Sequence, residues 1–186
     1  EMCIRDSLYA ALGYGSSHRH MTNTDFDFNI YGLYYSTDAG SSWTKITLNN
    51  SVTNLPENIN DIEVQSSANR IWLATTSSVG AQGGNYYYSD NGTNFNKASP
   101  TYDVAATNIG RTEIASSESD TNRHYVLMRA NGVAEIYKTT DNFTTLEKLN
   151  EPVDVDTEIP ATDFTRGQSF YDLEIEVDPF NEDIIY

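Results

Sequence analysis

Ser36-Thr37-Asp38-Ala39-Gly40-Ser41-Ser42-Trp43 returns as Tyr88-Ser89-Asp90-Asn91-Gly92-Thr93-Asn94-Phe95 and, more degenerately, as Thr139-Thr140-Asp141-Asn142-Phe143-Thr144-Thr145-Leu146. Asp38, Asp90 and Asp141 stand 52 and 51 residues apart, and Tyr34, Tyr86 and Tyr137 each precede one of them by four positions. A turn aspartate can accept hydrogen bonds from backbone amides a few residues on. Gly40 and Gly92 supply positive φ without steric cost, and Trp43, Phe95 and Leu146 fold an apolar group back beneath the turn. In this register the second copy lacks the serine. The third has Phe143 in place of glycine, which predicts a weaker or differently shaped turn there.

Working outward, apolar strand candidates precede each box: Leu8 to Leu12, Ile71 to Ala74, and Tyr125 to Met128. Ahead of these lie Ile62-Glu63-Val64 and Glu113-Ile114-Ala115, and Ile175-Glu176-Val177 opens a further unit. No stretch sustains helical periodicity. Four short antiparallel strands in roughly fifty residues is the period of a propeller blade. The expected fold is all-β: a partial β-propeller of four-stranded antiparallel blades, two complete and two partial, and a fragment of a larger propeller. The blades are placed at about residues 8–48, 60–98, 111–149 and 171–186. Residues 1–7 read as a non-native leader, an adapter translated in frame, which makes Cys3 extraneous.

Composition narrows the function classes. The 186 residues carry 27 acidic and 11 basic side chains, a formal net charge of −16. With no Lys/Arg cluster to neutralise phosphates, a nucleic-acid partner is not expected. No apolar run reaches the roughly 18 residues of a spanning helix. A single cysteine excludes an internal disulfide and any zinc site built on several thiolates. Asn49, Asn91 and Asn142 stand in glycosylation triplets, two of them as part of the boxes themselves.

The phrase S-x-D-x-G-x-x-W resembles the Asp-box, or bacterial neuraminidase repeat, of sialidases, xyloglucanase-type glycoside hydrolases, photosystem-assembly propellers and sortilin-type receptors. Gly167-Gln168-Ser169-Phe170-Tyr171-Asp172-Leu173, running into Val177-Asp178-Pro179-Phe180-Asn181, looks like the blade entry of secreted bacterial sortilin-like propellers, which often carry a type IX secretion tag. The resemblance covers residues 8–186 and implies an extracellular or cell-surface protein whose remaining blades cover the open faces. It also implies that the boxes lie away from the ligand. Ser36, Asp38, Gly40, Trp43, Asp90, Gly92, Phe95, Thr139, Asp141 and Leu146 are therefore structural, and Trp43 and Trp72 are core anchors.

Propellers place function on long loops at one end. Two insertions stand out. The first, between Leu12 and Tyr34, holds His18, Arg19, His20, Asp25 and Asp27. The second, between Asp141 and Val177, holds Asp154, Asp156, Glu158, Asp163, Arg166 and Tyr171. His18, His20, Arg166 and Tyr171 are candidate ligand contacts. Asp25, Asp27, Asp163 and Glu158 are candidate acids for the two-carboxylate chemistry of a glycosidase. His18 and His20 can ligate a metal only with help from Asp25 or Asp27, and a solvated loop is the simpler reading, so no metal site is assigned. Asp154, Asp156 and Glu158 offer oxygens for calcium but lack the spacing and turn glycine of a dedicated loop. Gly80-Ala81-Gln82-Gly83-Gly84 has no following helix or Lys-Ser/Thr, which predicts a flexible loop rather than a phosphate cradle. The arginines do not repeat from blade to blade as a sialidase triad, and no Arg-Ile-Pro is present. The sequence thus favours a non-catalytic scaffold for a polysaccharide, peptide or protein. The alternative is part of a sialidase- or xyloglucanase-like hydrolase.

Overall fold

The computed structural model describes residues 7–13, 29–78, 80–153 and 163–186. Strands β1 (Leu8–Leu12), β2 (Gly32–Ser36) and β3 (Thr44–Ile46) form the first antiparallel sheet, in chain order. The second is β4 (Ile59–Gln65), β5 (Arg70–Thr75), β6 (Tyr86–Ser89) and β7 (Asn96–Ala98). The third has β9 (Thr112–Ser116), β10 (His124–Ala130), β11 (Val133–Thr139) and β12 (Thr145–Lys148) in order, with the two-residue β8 (Thr101–Tyr102) added in parallel to β12. That fifth strand was not expected from the sequence. Beyond the third sheet, Val177 bridges Ile185, and Glu176 and Tyr186 exchange backbone bonds, so a fourth unit opens as a hairpin. Among the described residues there is no helix.

The sheets stack face to face because their middle strands are apolar on both sides. In β5, Ile71 and Leu73 join a cluster with Leu33, Ile46 and Tyr87, while Trp72 and Ala74 turn the other way to meet Ile114, Val126, Met128 and Tyr137. In β10, Tyr125 and Leu127 face a third cluster with Leu173 and Ile175. A period-2 strand buried on both faces reads as a continuous apolar run, as Ile71-Trp72-Leu73-Ala74 does. The first sheet differs. Tyr9 and Ala11 pack inward, but Leu8 and Leu12 on the opposite face are 46% and 47% exposed.

Where the second and third sheets meet at their edge strands β4 and β9, side chains join the two. Ile114 N donates to Asp61 Oδ2 (2.6 Å), Ser116 N to Glu63 Oε1 (2.8 Å), and Asn60 Nδ2 to Thr112 O (2.8 Å). These bonds satisfy edge groups that no backbone ladder reaches. They also sensitise the fold to pH. Burial is the leading cause that pushes Asp61 up to about 6 and Glu63 and Glu113 up to about 7. Unfolded carboxylates titrate near 4, so between about pH 4 and 7 the native state holds more protons than the unfolded chain, and stability falls as pH rises. Buried His124, lowered to about 4 by desolvation, works in the opposite sense, stabilising progressively as pH rises from about 4 to 6.5. Three groups outweigh one, and only the carboxylates act above about pH 6.5. The thermal midpoint is expected to drop by a few degrees from pH 5 to pH 8, and Glu63→Gln, which keeps the acceptor oxygen, flattens that slope. A midpoint that climbs over this range contradicts the assignment.

The boxes form one turn, with a shift in the second. Ser36, Ser89 and Thr139 end their strands, and each hydroxyl oxygen accepts two amides: Asp38 N and Gly40 N, Asn91 N and Gly92 N, Asp141 N and Phe143 N. Asp38, Asn91 and Asp141 then accept Ser42 N (2.8 Å), Asn94 N (2.8 Å) and Thr145 N (2.9 Å). In the second copy the box acceptor is therefore Asn91, with Ser89 as its serine, and Asp90 instead pairs with Arg70 Nε at 2.6 Å. The second turn is one residue shorter than the first, which displaces the apparent Asp register. The third copy reproduces the first, with Asn142 and Phe143 (φ 59° and 63°) standing where Ala39 and Gly40 stand (φ 56° and 86°). Its turn is not differently shaped. Phe143 is 3% exposed and packs on Trp72 at a ring distance of 4.5 Å. Burying that ring, worth about 1.5–3 kcal/mol, outweighs a left-handed backbone costing about 1–2 kcal/mol.

Leu146 and Phe95 lie against the sheet preceding their own, Leu146 fully buried and Phe95 half-buried. Trp72 is fully buried, as an anchor should be. Trp43, expected to do the same, is 45% exposed, because among the described residues nothing stacks on its side of the first sheet.

Candidate functional site

Alternation of antiparallel strands puts the box turns, the β4–β5 turn and the β9–β10 turn at one end. The β5–β6 loop, the β10–β11 turn and the described parts of the connections between sheets lie at the other. At this loop end a pocket of about 380 Å³ is lined by Asn50, Ser51 and Val52, by Gly80 to Gly83, and by Asn85 and Lys97. A second pocket of about 310 Å³ lies at the box end beside Tyr9 and Arg70.

The glycine-rich wall of the loop-end pocket is pinned rather than flexible. Gly83 N donates to Ile109 O (2.8 Å), Gly84 N to Thr75 O (3.2 Å), and Ile109 N to Gln82 Oε1 (3.2 Å). A Cβ on Gly83 would stand 2.0 Å from Gly110 O and 2.7 Å from Thr75 O, so only glycine lets these backbones approach. The opposite wall is built on a buried polar cluster. Glu57, 2% exposed, accepts Tyr87 Oη at 2.7 Å and Asn50 Nδ2 at 3.3 Å. Burial and this carboxylate push the Tyr87 phenol up, so it stays a donor. Asn50 Oδ1 in turn accepts Val52 N and Thr53 N, shaping the rim. Lys97 Nζ lies 5.9 Å from the Tyr87 ring centre. The lining thus offers amides, a hydroxyl, glycine backbone and one ammonium, with no carboxylate among it.

Of the candidates read from sequence, His18, His20, Asp25, Asp27 and Glu158, with the oxygens considered for calcium, lie outside the described residues. Asp163 is engaged in its own turn, accepting Thr165 N (3.2 Å), Thr165 Oγ1 (2.6 Å) and Gly167 N (2.8 Å). Arg166 sits inside that turn at φ 55°. Tyr171 is 49% exposed and meets Phe170, 56% exposed, edge to face at 4.2 Å. This segment is held at the loop end by Ser169 Oγ donating to Gly132 O at 3.1 Å. Glu57 and Lys97 were not singled out from sequence, and Gln82 and Gly83 were read only as part of a flexible loop. The paired glycines at 83–84 are the signal that, read as a close approach instead of flexibility, would have found the wall, whereas nothing local marks Glu57.

One arrangement mimics a catalytic triad. Ser116 Oγ lies 2.9 Å from His124 Nδ1, and His124 Nε2 lies 3.3 Å from Asn142 Oδ1. Asn142 Oδ1 already accepts Arg70 Nη1, so Nε2 carries the proton and Nδ1 accepts from the serine. Both Ser116 and His124 are buried between sheets at the box end. With no substrate access, this is a structural network. Among the described residues no group of three or more His, Cys, Asp or Glu is placed to hold a metal ion.

No family model matches the chain, and no curated protein does. Among solved structures it is similar to the GH74 enzyme of Niastella koreensis (TM-score 0.56, 19% identity, 82% of this chain and 23% of that one). It is also similar to the GH74 xyloglucanase of Xanthomonas campestris (TM-score 0.51, 14% identity, 82% and 22%). The chain spans less than a quarter of either. At these identities the likeness shows the fold, a partial β-propeller.

Proposed function

We propose that the loop end of this propeller binds a polysaccharide, as a non-catalytic extracellular scaffold. The observation that carries the reading is the loop-end pocket, where Ser51, Gln82 and Asn85 surround a rigid glycine wall with no carboxylate in the lining. Hydroxyl-rich ligands are recognised by such convergent neutral donors and acceptors, with an apolar face nearby for the sugar ring. The Asp-box resemblance and the GH74 structural neighbours support a carbohydrate over a peptide. They also support the alternative, part of a hydrolase, which needs two carboxylates flanking a glycosidic bond. Asp163 is committed to its turn and Glu57 to Tyr87 and Asn50, so neither of these two acids is disposed for that work.

Affinity electrophoresis through gels containing neutral or acidic soluble polysaccharides tests the reading. The chain is expected to be retarded by at least one polymer, Gln82→Ala with Asn85→Ala to lose most of that retardation, and box-end Ser67→Ala to keep it. Free migration through every polymer overturns the proposal. Release of reducing ends puts the hydrolase in its place.

A further inference from the structure

Arg129 is unlike the arginines paired elsewhere in the structure. Arg70 pairs with Asp90, Arg111 with Glu113 and Arg123 with Asp183. In a chain with 27 acids, the half-buried Arg129 guanidinium makes no hydrogen bond or ion pair among the described residues, and its buried Nε has no partner. A cation partly removed from water and left unpaired costs free energy that an incoming anion recovers.

Its position is at the loop end. Nη1 lies 3.4 Å from where a Cβ on Gly110 would stand, and Nη2 3.8 Å from the same point on Gly132. Gly110 O abuts Gly83, in the wall of the loop-end pocket. Gly132 O accepts Ser169 Oγ, and the exposed Phe170–Tyr171 pair follows directly. The guanidinium therefore lies beside Gly110, which abuts the wall of a carboxylate-free pocket whose own cation is Lys97, and beside Gly132, which holds the segment that carries the aromatic pair.

We propose that Arg129 makes the loop end selective for a sugar bearing a carboxylate, a hexuronate unit of an acidic polysaccharide. This rests on the polysaccharide reading and sharpens it. The planar guanidinium takes the carboxylate bidentately, and Phe170 and Tyr171 provide the apolar surface for the pyranose ring. A net charge of −16 repels polyanions at long range. Selectivity must then come from this local contact, and the preference should be largest over the short reach of a direct ion pair.

Calorimetry with the full chain compares trigalacturonate with the matching neutral galacto-oligosaccharide. The uronate is expected to bind about tenfold more tightly, since a charge-assisted bond is worth about 1.5–3 kcal/mol. Arg129→Gln removes that preference while leaving neutral binding within twofold, Arg129→Lys retains only part of it, and Tyr171→Ala weakens both ligands. Equal affinities in the wild type, or a preference that survives Arg129→Gln, overturn this inference and leave the polysaccharide reading standing. Absence of binding by either oligosaccharide and by every polymer overturns both. Should Arg129→Gln fail to fold, the wild-type salt series decides: a preference that does not shrink between low and high salt overturns the carboxylate assignment.

Discussion

Replacing Trp72 by alanine will cost about 3–5 kcal/mol, the range for truncating a large buried aromatic, and lower the thermal midpoint by roughly 10 °C. The indole is fully buried between the second and third sheets, with ring centres at 4.5 Å to Phe143, 4.8 Å to His124 and 5.3 Å to Tyr88. Three of its neighbours depend on it. Phe143 tolerates its left-handed backbone because it packs there, His124 is held against Ser116 and Asn142 beside it, and the Arg70 guanidinium sits 5.5 Å from its ring centre. A buried site ringed by aromatics collapses poorly, so the cavity term is retained. Trp43→Ala is the contrasting control, because a residue 45% exposed has far less burial to lose. Equal midpoints for the two alanine variants, measured by thermal denaturation, would show that the second and third sheets do not stack as described.

Gly83→Ala is expected to be the most damaging glycine-to-alanine change among the described residues. The added Cβ meets Gly110 O at 2.0 Å and Thr75 O at 2.7 Å, both backbone atoms, so neither side chain rotation nor small relaxation relieves the overlap. Separating them breaks the Gly83 N to Ile109 O bond and the fit of the β5–β6 loop against the connection to β9. The expected cost is about 1–3 kcal/mol, the usual penalty of overpacking, together with a several-fold loss of polysaccharide retention as the pocket wall moves. Gly80→Ala, which meets only a Thr53 methyl at 3.4 Å, has a backbone strain cost at φ 76° but no such clash. A Gly83→Ala chain that melts like the wild type and keeps its retention would mean that the loop is loose, as its glycine content alone suggested.

The repeat was legible because a turn hydrogen-bonded to its own side chains is a local object. A hydroxyl, an acceptor two residues on and an apolar residue a few further suffice to write it. The same locality misled the register of the second copy, since Asp90 and Asn91 both suit the acceptor role and only bond geometry separates them. Phe143 was misjudged for the opposite reason. Its backbone strain is local, but the packing that offsets it comes from Trp72 and Tyr86, 71 and 57 residues earlier in the chain.

The amino-acid sequence alone determined the all-β class, the period and the four-strand unit, because strand alternation and turn chemistry are written over a few neighbouring residues. The tertiary structure alone decided which end carries the pocket lining, that Glu57 supports it from behind, that Gly83 is a contact point, and that Arg129 has no ion-pair partner among the described residues. Each of these depends on which groups from different blades come within hydrogen-bonding distance. Glu57 and Tyr87, 30 positions apart, or Gly83 and Gly110, 27 apart, have no shared local pattern to announce such meetings, and the tertiary packing settles them.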